Sequence, residues 1–570
     1  MSPSRADSAP LGDRTGLPPV VIRSSSLRLG RSARGGVKHR RLRLPLRLGG
    51  AGRLVLLVPV VAVLLLAGAR QAPAATLNVC QNGCPYTQLA PALATAHSGD
   101  TITIGPGTYA GGVTINVSVK LAGAGPGATV ISGGGPVLTI GVADAASEPT
   151  VTIDGITVTG GVAIGNLTPS SGRGGGIYIP RAAGPSTGAT VTIRNSVVRG
   201  NSTAPRVAIE SDDPCCPFAD AGGGGISNDG TLTLDHTLVS GNRADAASGL
   251  TSNAIGGGIL NRAFGTLTLT HSIVSHNHVA VTPPNGRFAP GGGIAMVGGT
   301  LTITGSRVSD NTADASSAVP SGVDQEATAG GIQVQGNASA TIRSTTITGN
   351  SVSSTNTVGD AHAFSGGLHA DGPIVLRDST ISDNSVAAAT ATGSTGRADV
   401  DSGAGEINAD ATITNTRFTG NSATARSSAG VAHAGAGAIV TAAFDRMTIS
   451  DSVISANRLT ATTTTGSASI EGGGISNLGV LTLLNTSVGA NSGTASGPGG
   501  SARGGGIWNG SAPDGPPSVR LALVDSAVTH NTLTASPGIT VQGGGLFTLF
   551  PVTLTSSVIA QNVPDQCHGC

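Results

Sequence analysis

The chain has 570 residues, of which 88 are glycine and only 2% aromatic, and its formal net charge is +1. Eight Phe, three Tyr and one Trp exclude an aromatic core at this length, so the core has to be stacked aliphatic side chains. The near-neutral total averages two unlike pieces. Residues 1–74 hold 13 of the 32 Lys and Arg and two of the 31 acids, leaving 19 basic against 29 acidic residues, a net charge of −10. That balance argues against nucleic acid as a partner, and against tight binding of polyanionic pectate without bridging cations.

Residues 1–53 carry twelve Lys or Arg against Asp7 and Asp13, and are followed by the apolar run Leu54 to Ala69 and the small residues Ala72-Pro73-Ala74. Basic region, apolar core and small-residue cleavage site together read as a secretory signal over residues 1–74. The run has 16 residues with Pro59 inside, short of the roughly 20 that span a bilayer. An uncleaved segment would be the chain's only membrane contact. Arg40-Arg41 also fits a twin-arginine signal, and a start near Val37 is a further reading. The expected location is extracellular or at the cell surface.

Residues 75–100 read as an N-terminal cap. Tyr86, Leu89, Ala92, Leu93 and Ala96 have helical spacing, and Gly99 can end the helix. Cys80 and Cys84 bracket a short loop and, in an exported chain, predict a disulfide clip. Val113 to Ile140 supplies short strands at a tight period. Val151 to Gly161 is a degenerate repeat, with Ile156 where later units have a hydroxyl and Gly161 where they have Asn.

From Gly174 onward eleven units end in Asn201, Asn242, Asn277, Asn311, Asn350, Asn384, Asn421, Asn457, Asn491, Asn531 and Asn562, at gaps of 31 to 41 residues. Three residues before each Asn stands an apolar side chain, five before it a hydroxyl such as Ser196, Thr237 or Ser272, and eight and ten before it two more apolar residues. Apolar residues two apart alternate as a strand with one buried face. The odd step to the next inward pair requires a bend, and a third short strand follows each glycine run. Three strands with bends close one coil, and stacked coils pair like with like about 4.8 Å apart. Each Asn is expected to take a left-handed turn and to join an amide ladder. The hydroxyls are expected to form a second ladder, and the glycines to serve sharp turns. Between each Asn and the next glycine run lie Ala-, Ser- and Thr-rich stretches which, if they fold back, build one wall along the rod. The predicted fold class is therefore all-β: a right-handed single-stranded parallel β-helix, or β-solenoid, over residues 101–570, monomeric and unbroken by linkers.

These residues resemble the right-handed parallel β-helix of the pectin-lyase-like superfamily over roughly residues 76 to 570. The Gly-Gly-x-Ile-x-Asn and Ser-x-Val-Ser-x-Asn pieces resemble bacterial surface proteins of the chlamydial polymorphic outer-membrane type. The resemblance implies a fold that hosts lyases, hydrolases, esterases and adhesins alike. Gly-His-Gly, paired Gln-Gln with downstream Asp-Asp, and a Ca-and-Arg lyase set are not found.

The most unusual insertion is Val207 to Ala221, with Glu210, Asp212, Asp213, Cys215, Cys216 and Asp220. Glu210, Asp212 and Asp213 are the catalytic candidates, as an acid/base pair for glycoside cleavage. Asp212, Asp213 and Asp220 are the metal candidates, for Ca²⁺ through oxygen ligands. A solvated acidic loop is the alternative. Cys567-His568-Gly569-Cys570 predicts a terminal disulfide in an exported chain, against a redox or half-zinc reading. His271, His276 and His278 are the densest histidine group, with His276 and His278 flanking an inward Asn277 and so pointing outward. His236, His362, His369, His433 and His530 are scattered over other coils. Nine residues before the Asn runs an outward rank of Thr, including Thr192, Thr233, Thr268, Thr302 and Thr341, which resembles an ice-binding face. Its second rank is broken by Arg194, Asp235, Arg343 and Arg377, and Thr is also an ordinary solvent-facing strand residue.

The expected function is a non-catalytic exported scaffold that binds polysaccharide or cell-surface glycan through its loop wall. A polysaccharide lyase or glycoside hydrolase is the alternative, and ice binding a minor one. A clustered carboxylate pair in an open groove would favour the enzyme, and scattered acids on convex faces the scaffold. No cofactor is implied beyond Ca²⁺.

Overall fold

In the computed structural model of the chain, the residues described are 73–570 except 166–171, 184–187, 206–218, 247–251, 263, 282–287, 317–323, 444 and 512–518. They fall within one compact unit, Ala72–Cys570. The chain is a parallel β-solenoid. Three long sheets of 15, 14 and 14 strands run its length, each strand paired with its counterpart one coil away. One coil shows the plan: Ile226–Asn228 lies in the third face, Thr231–Asp235 in the first and Leu238–Ser240 in the second. Thr231–Asp235 sits in register between Thr190–Arg194 and Thr266–Thr270, so that Leu234 has Ile193 on one side and Leu269 on the other.

Alternation sets which side chains go inside. In Thr231–Asp235 the buried residues are Leu232 and Leu234. They join Ile226, Val239 and their copies in one continuous aliphatic core. Each such side chain contributes about 1.5–3 kcal/mol on full burial.

The Asn column forms an unbroken buried ladder. Asn201 Nδ2 donates to Asn242 Oδ1 at 3.0 Å, Asn311 to Asn350 at 2.9 Å, and Asn531 to Asn562 at 3.0 Å. Each amide also donates to a backbone carbonyl, as Asn350 does to Val308 O at 3.0 Å. The left-handed residue, however, is the one before each Asn: Gly241, His276, Asp310 and Asp383 have φ of 61°, 55°, 57° and 55°. Among the described residues no ladder Asn has positive φ. The turn falls one position earlier, and the Asn itself keeps ordinary backbone while its amide points inward. The hydroxyl column likewise stacks, but through the backbone. Ser272 Oγ accepts from Thr237 N at 3.1 Å and donates to Thr270 O at 2.9 Å.

The stretches after the Asn do fold back, and they build more than a wall. They form an 11-stranded sheet beginning at Val162–Gly165 and an 8-stranded sheet beginning at Phe288–Pro290, preceded by the pair Ala219–Gly222 and Ser252–Ile255. Ala and Val dominate the separate core between these sheets, as with Val352, Ala361, Ala363, Val386 and Val400. Between Val162 and Gln542 the coils thus have two lobes, the rod and an arm.

The glycine run makes the waist between them. A Cβ on Gly330 would lie 2.5 Å from Ser351 O, and one on Gly331 would lie 2.4 Å from Gly367 O and 3.1 Å from the Asn350 amide nitrogen. Glycine lets the two passing strands approach this closely, and the two coils that differ at the Gly331 position have the next smallest residue there, Ala404 and Ala438.

At the start, helix α1 (Leu89–Thr95) packs Leu89 and Ala92 into the end of the core. Thr76–Val79, within the segment expected to be cap, already pairs with Thr101–Ile104 as the first strand of the first face. Cys80 is bonded to Cys84 and Cys567 to Cys570. Gln566 Oε1 accepts from Asn562 N at 2.9 Å and Asn562 Nδ2 at 3.2 Å, which ends the amide ladder with its donors satisfied.

Candidate functional site

The arm's 8-stranded sheet leans over the rod's third face. In Gln325–Thr328, Ala327 points into the arm core and Glu326 points away from it. In Ile332–Val334, Ile332 and Val334 enter the rod core and Gln333 points away from it. The two outward columns meet in a cleft holding a cavity of about 420 Å³, lined on the arm side by Phe288, Glu326 and Phe364 and on the rod side by Gln333, Gln335, His369, Asp371, Glu406 and Asn408.

Register alone assembles the rod side. Gln333, His369 and Glu406 occupy the same strand position in three successive coils. His369 is 7% exposed and lies between two carboxylates, with Nε2 3.1 Å from Asp371 Oδ1 and Nδ1 3.2 Å from Glu406 Oε2. Asn408 Nδ2 bridges the same two acids, at 3.1 Å from Asp371 Oδ1 and 3.0 Å from Glu406 Oε1. Burial by itself would lower the His369 pKa, but the Glu406 charge and the Asp371 hydrogen bond more than offset it and raise the pKa to about 10. Burial would raise the pKa values of Asp371 and Glu406, and the His369 imidazolium pulls both below the ordinary range.

A second charged group stands beside it on the arm sheet, where Glu326, His362, Asp399 and His433 share one register position. Asp399 accepts from His433 Nδ1 at 2.7 Å and forms an ion pair with Arg397 Nη2 at 3.1 Å. Burial opposes ionisation of Asp399, and the His362 imidazole 3.7 Å away, the His433 hydrogen bond and the His433 and Arg397 charges overcome it, holding the carboxyl well below the usual range. His433 is raised to about 10 against the desolvation that would lower it, by Asp399 and Glu471. Asp401 lies between the two groups. Burial, then the charges of Glu406 and Asp399, push its carboxyl well above the usual range. Beside the cleft, therefore, one carboxyl is pushed up while its neighbours are pulled down.

Three buried polar atoms lining this cleft lack a hydrogen-bond partner: Thr328 Oγ1, Gln333 Oε1 and Glu406 Oε2. Thr328 and Gln333 are each 2% exposed, and Glu406 Oε2 has the His369 ion-pair contact without an aligned hydrogen bond. Two of the three are pure acceptors.

Of the residues singled out in the sequence, Glu210, Asp212, Asp213, Cys215 and Cys216 lie outside the described residues. Asp220 sits in the short strand Ala219–Gly222, paired with Asn253. The histidine grouping changes. His276 is exposed as expected, but His271 is brought to Asp235 and His236 of the preceding coil, away from its neighbours in sequence. His369 lines the cleft, and His433 belongs to the charged group beside it on the arm sheet. A signal was available: aligning the glycine runs places Gln333, His369 and Glu406 where other coils have Ser227, Leu260, Ala295 or Val440.

Fold and cleft define a class, a parallel β-solenoid whose coils carry a second, alanine-rich lobe. Comparison with protein-family models and with curated proteins returns no match.

Proposed function

We propose that the protein is an exported or cell-surface β-solenoid, of the right-handed pectin-lyase-like kind, that binds a neutral glycan in the cleft between arm and rod. The observation that carries this reading is the pair of orphaned acceptors, Gln333 Oε1 and Thr328 Oγ1, in a cavity that also offers the Phe288 and Phe364 rings. Sugar hydroxyls supply the donors these acceptors require, and the apolar ring faces suit a sugar's C–H surface. Glu326, Asp371 and Glu406 line the cavity, which disfavours polyuronates and favours uncharged chains. The test is retention of the purified protein on a panel of neutral and acidic polysaccharides. Retention on a neutral glycan, weakened about tenfold by Gln333→Leu, supports the reading; retention unchanged by that substitution removes the cleft as the site.

One observation favours a second reading, acid/base cleavage of the bound glycan. Asp401, its carboxyl pushed up by burial and by the Glu406 charge, stands near Glu406, whose carboxyl the His369 imidazolium pulls down, and a carboxyl pair shifted apart in this way is what such chemistry uses. Release of reducing or unsaturated ends, abolished by Asp401→Asn, would establish it. Retention without product would leave a binding scaffold.

A further inference from the structure

We infer that Asp235, His236 and His271 form a binding site for a borderline divalent cation of the Zn²⁺ or Cu²⁺ type, on the corner between the first and second faces and separate from the cleft. One ligand atom from each of the three lies within 4.8 Å of the other two. Asp235 Oδ1 and His236 Nδ1 stand 2.8 Å apart in a hydrogen bond, and opening by about 0.6 Å would bring them to the roughly 3.4 Å between neighbouring ligands on a tetrahedral ion at about 2.1 Å. The third ligand comes from the next coil. The His236 and His271 rings stack with centroids 5.0 Å apart and planes at 28°.

The fold holds these groups in place. Both histidines sit at the left-handed corner position, with φ of 47° and 46°. The backbone on either side is fixed by coil-to-coil bonds, His236 N to Thr270 O and His271 N to Thr304 O, each 3.1 Å. The following coil has Gly305 at this corner, where a Cβ would come within 3.0 Å of His271 Cδ2. Its glycine leaves the His271 ring the room it occupies. Two imidazoles and one carboxylate form a mixed N,N,O set, which suits Zn²⁺ and Cu²⁺ better than Ca²⁺ or Mg²⁺. Both rings are exposed, so remaining coordination positions face solvent.

The same corner supplies a clean test. Asn195, Asn415 and Asn485 occupy it in other coils with φ of 48°, 48° and 45°, so His236→Asn and His271→Asn place a residue the corner already accepts while removing an imidazole ligand. The full chain, stripped with a chelator, is titrated with ZnCl₂ by calorimetry, and the Cu²⁺ form is read by electron paramagnetic resonance. One strong equivalent per chain, two-nitrogen coordination, and a loss of more than about tenfold in affinity in either variant are expected. His276→Asn, at the next corner, should bind as the unaltered chain does. Binding unchanged in the His236→Asn, His271→Asn double variant, or lost equally in His276→Asn, would overturn the site.

Discussion

Rod and arm are built from the same coils yet solve burial differently. The rod core stacks Ile, Leu and Val, whereas the arm core is mostly Ala with occasional Val, Leu and Ile. Large side chains fill the interior that three faces enclose, and alanine lets two sheets lie close. Stability per coil should therefore rest on the rod and on the ladder that runs past the waist. The arm can carry polar outward columns at lower cost because little depends on its own core. That division leaves the cleft, where the two lobes meet, free to hold buried charge.

The most damaging change should be at the waist, which both lobes share. Gly331→Val places a side chain against Gly367 O and the Asn350 amide, and a loss above about 4 kcal/mol, seen as failure to fold or a collapsed denaturation midpoint, is expected. Next, truncation should separate the lobes. Leu376→Ala in the rod should cost about 2–5 kcal/mol and Val386→Ala in the arm about 1–2 kcal/mol by denaturant unfolding. Equal costs would sink the distinction. Asn350→Ala leaves Asn311 N and Nδ2 without their shared acceptor and should cost about 3 kcal/mol.

Alkaline pH should then loosen the rod strand that carries His369 and the arm strand that carries His433. His369 and His433 have pKa values raised from 6.5 to about 10, so their contribution is fully present below about pH 6.5 and lost as pH rises through about 10. Asp371 and Asp399 are shifted down, so theirs is present above about pH 4 and lost on further acidification. Hydrogen exchange of Leu368–Ala370 and Ala432–Ala436 between about pH 6 and about pH 10.5 should accelerate before that of strands without such a histidine. His369→Gln should remove the acceleration at Leu368–Ala370 and leave that at Ala432–Ala436. The smallest effect belongs to the outward rank: Thr268→Ala should fall within about 0.5 kcal/mol.

Period and spacing made much of this legible. Asn242 and Asn277 stand at fixed distances from an apolar residue and a hydroxyl, and that regularity has only a stacked explanation. The left-handed turn was misplaced by one residue because Asn is favoured there in general, while His276 and Asp310 take it in this chain. The arm was legible as a set of stretches at one corner but not as a cored lobe, since alternating Ala carries a weak burial signal. The cleft was illegible for another reason. His369 and Glu406 are 37 positions apart in the chain and adjacent only through register, so local motif reading passes over them.

Because each coil bonds only to the coils before and after it, the cross-section is indifferent to how many coils there are. The 36 residues from Asn421 to Asn457 span one repeat. Removing them would bring two equivalent surfaces together with every ladder still matched. A site on such a molecule is located as a bead is on a string: it moves along the axis by gain or loss of coils on either side, while its own geometry travels with it unchanged.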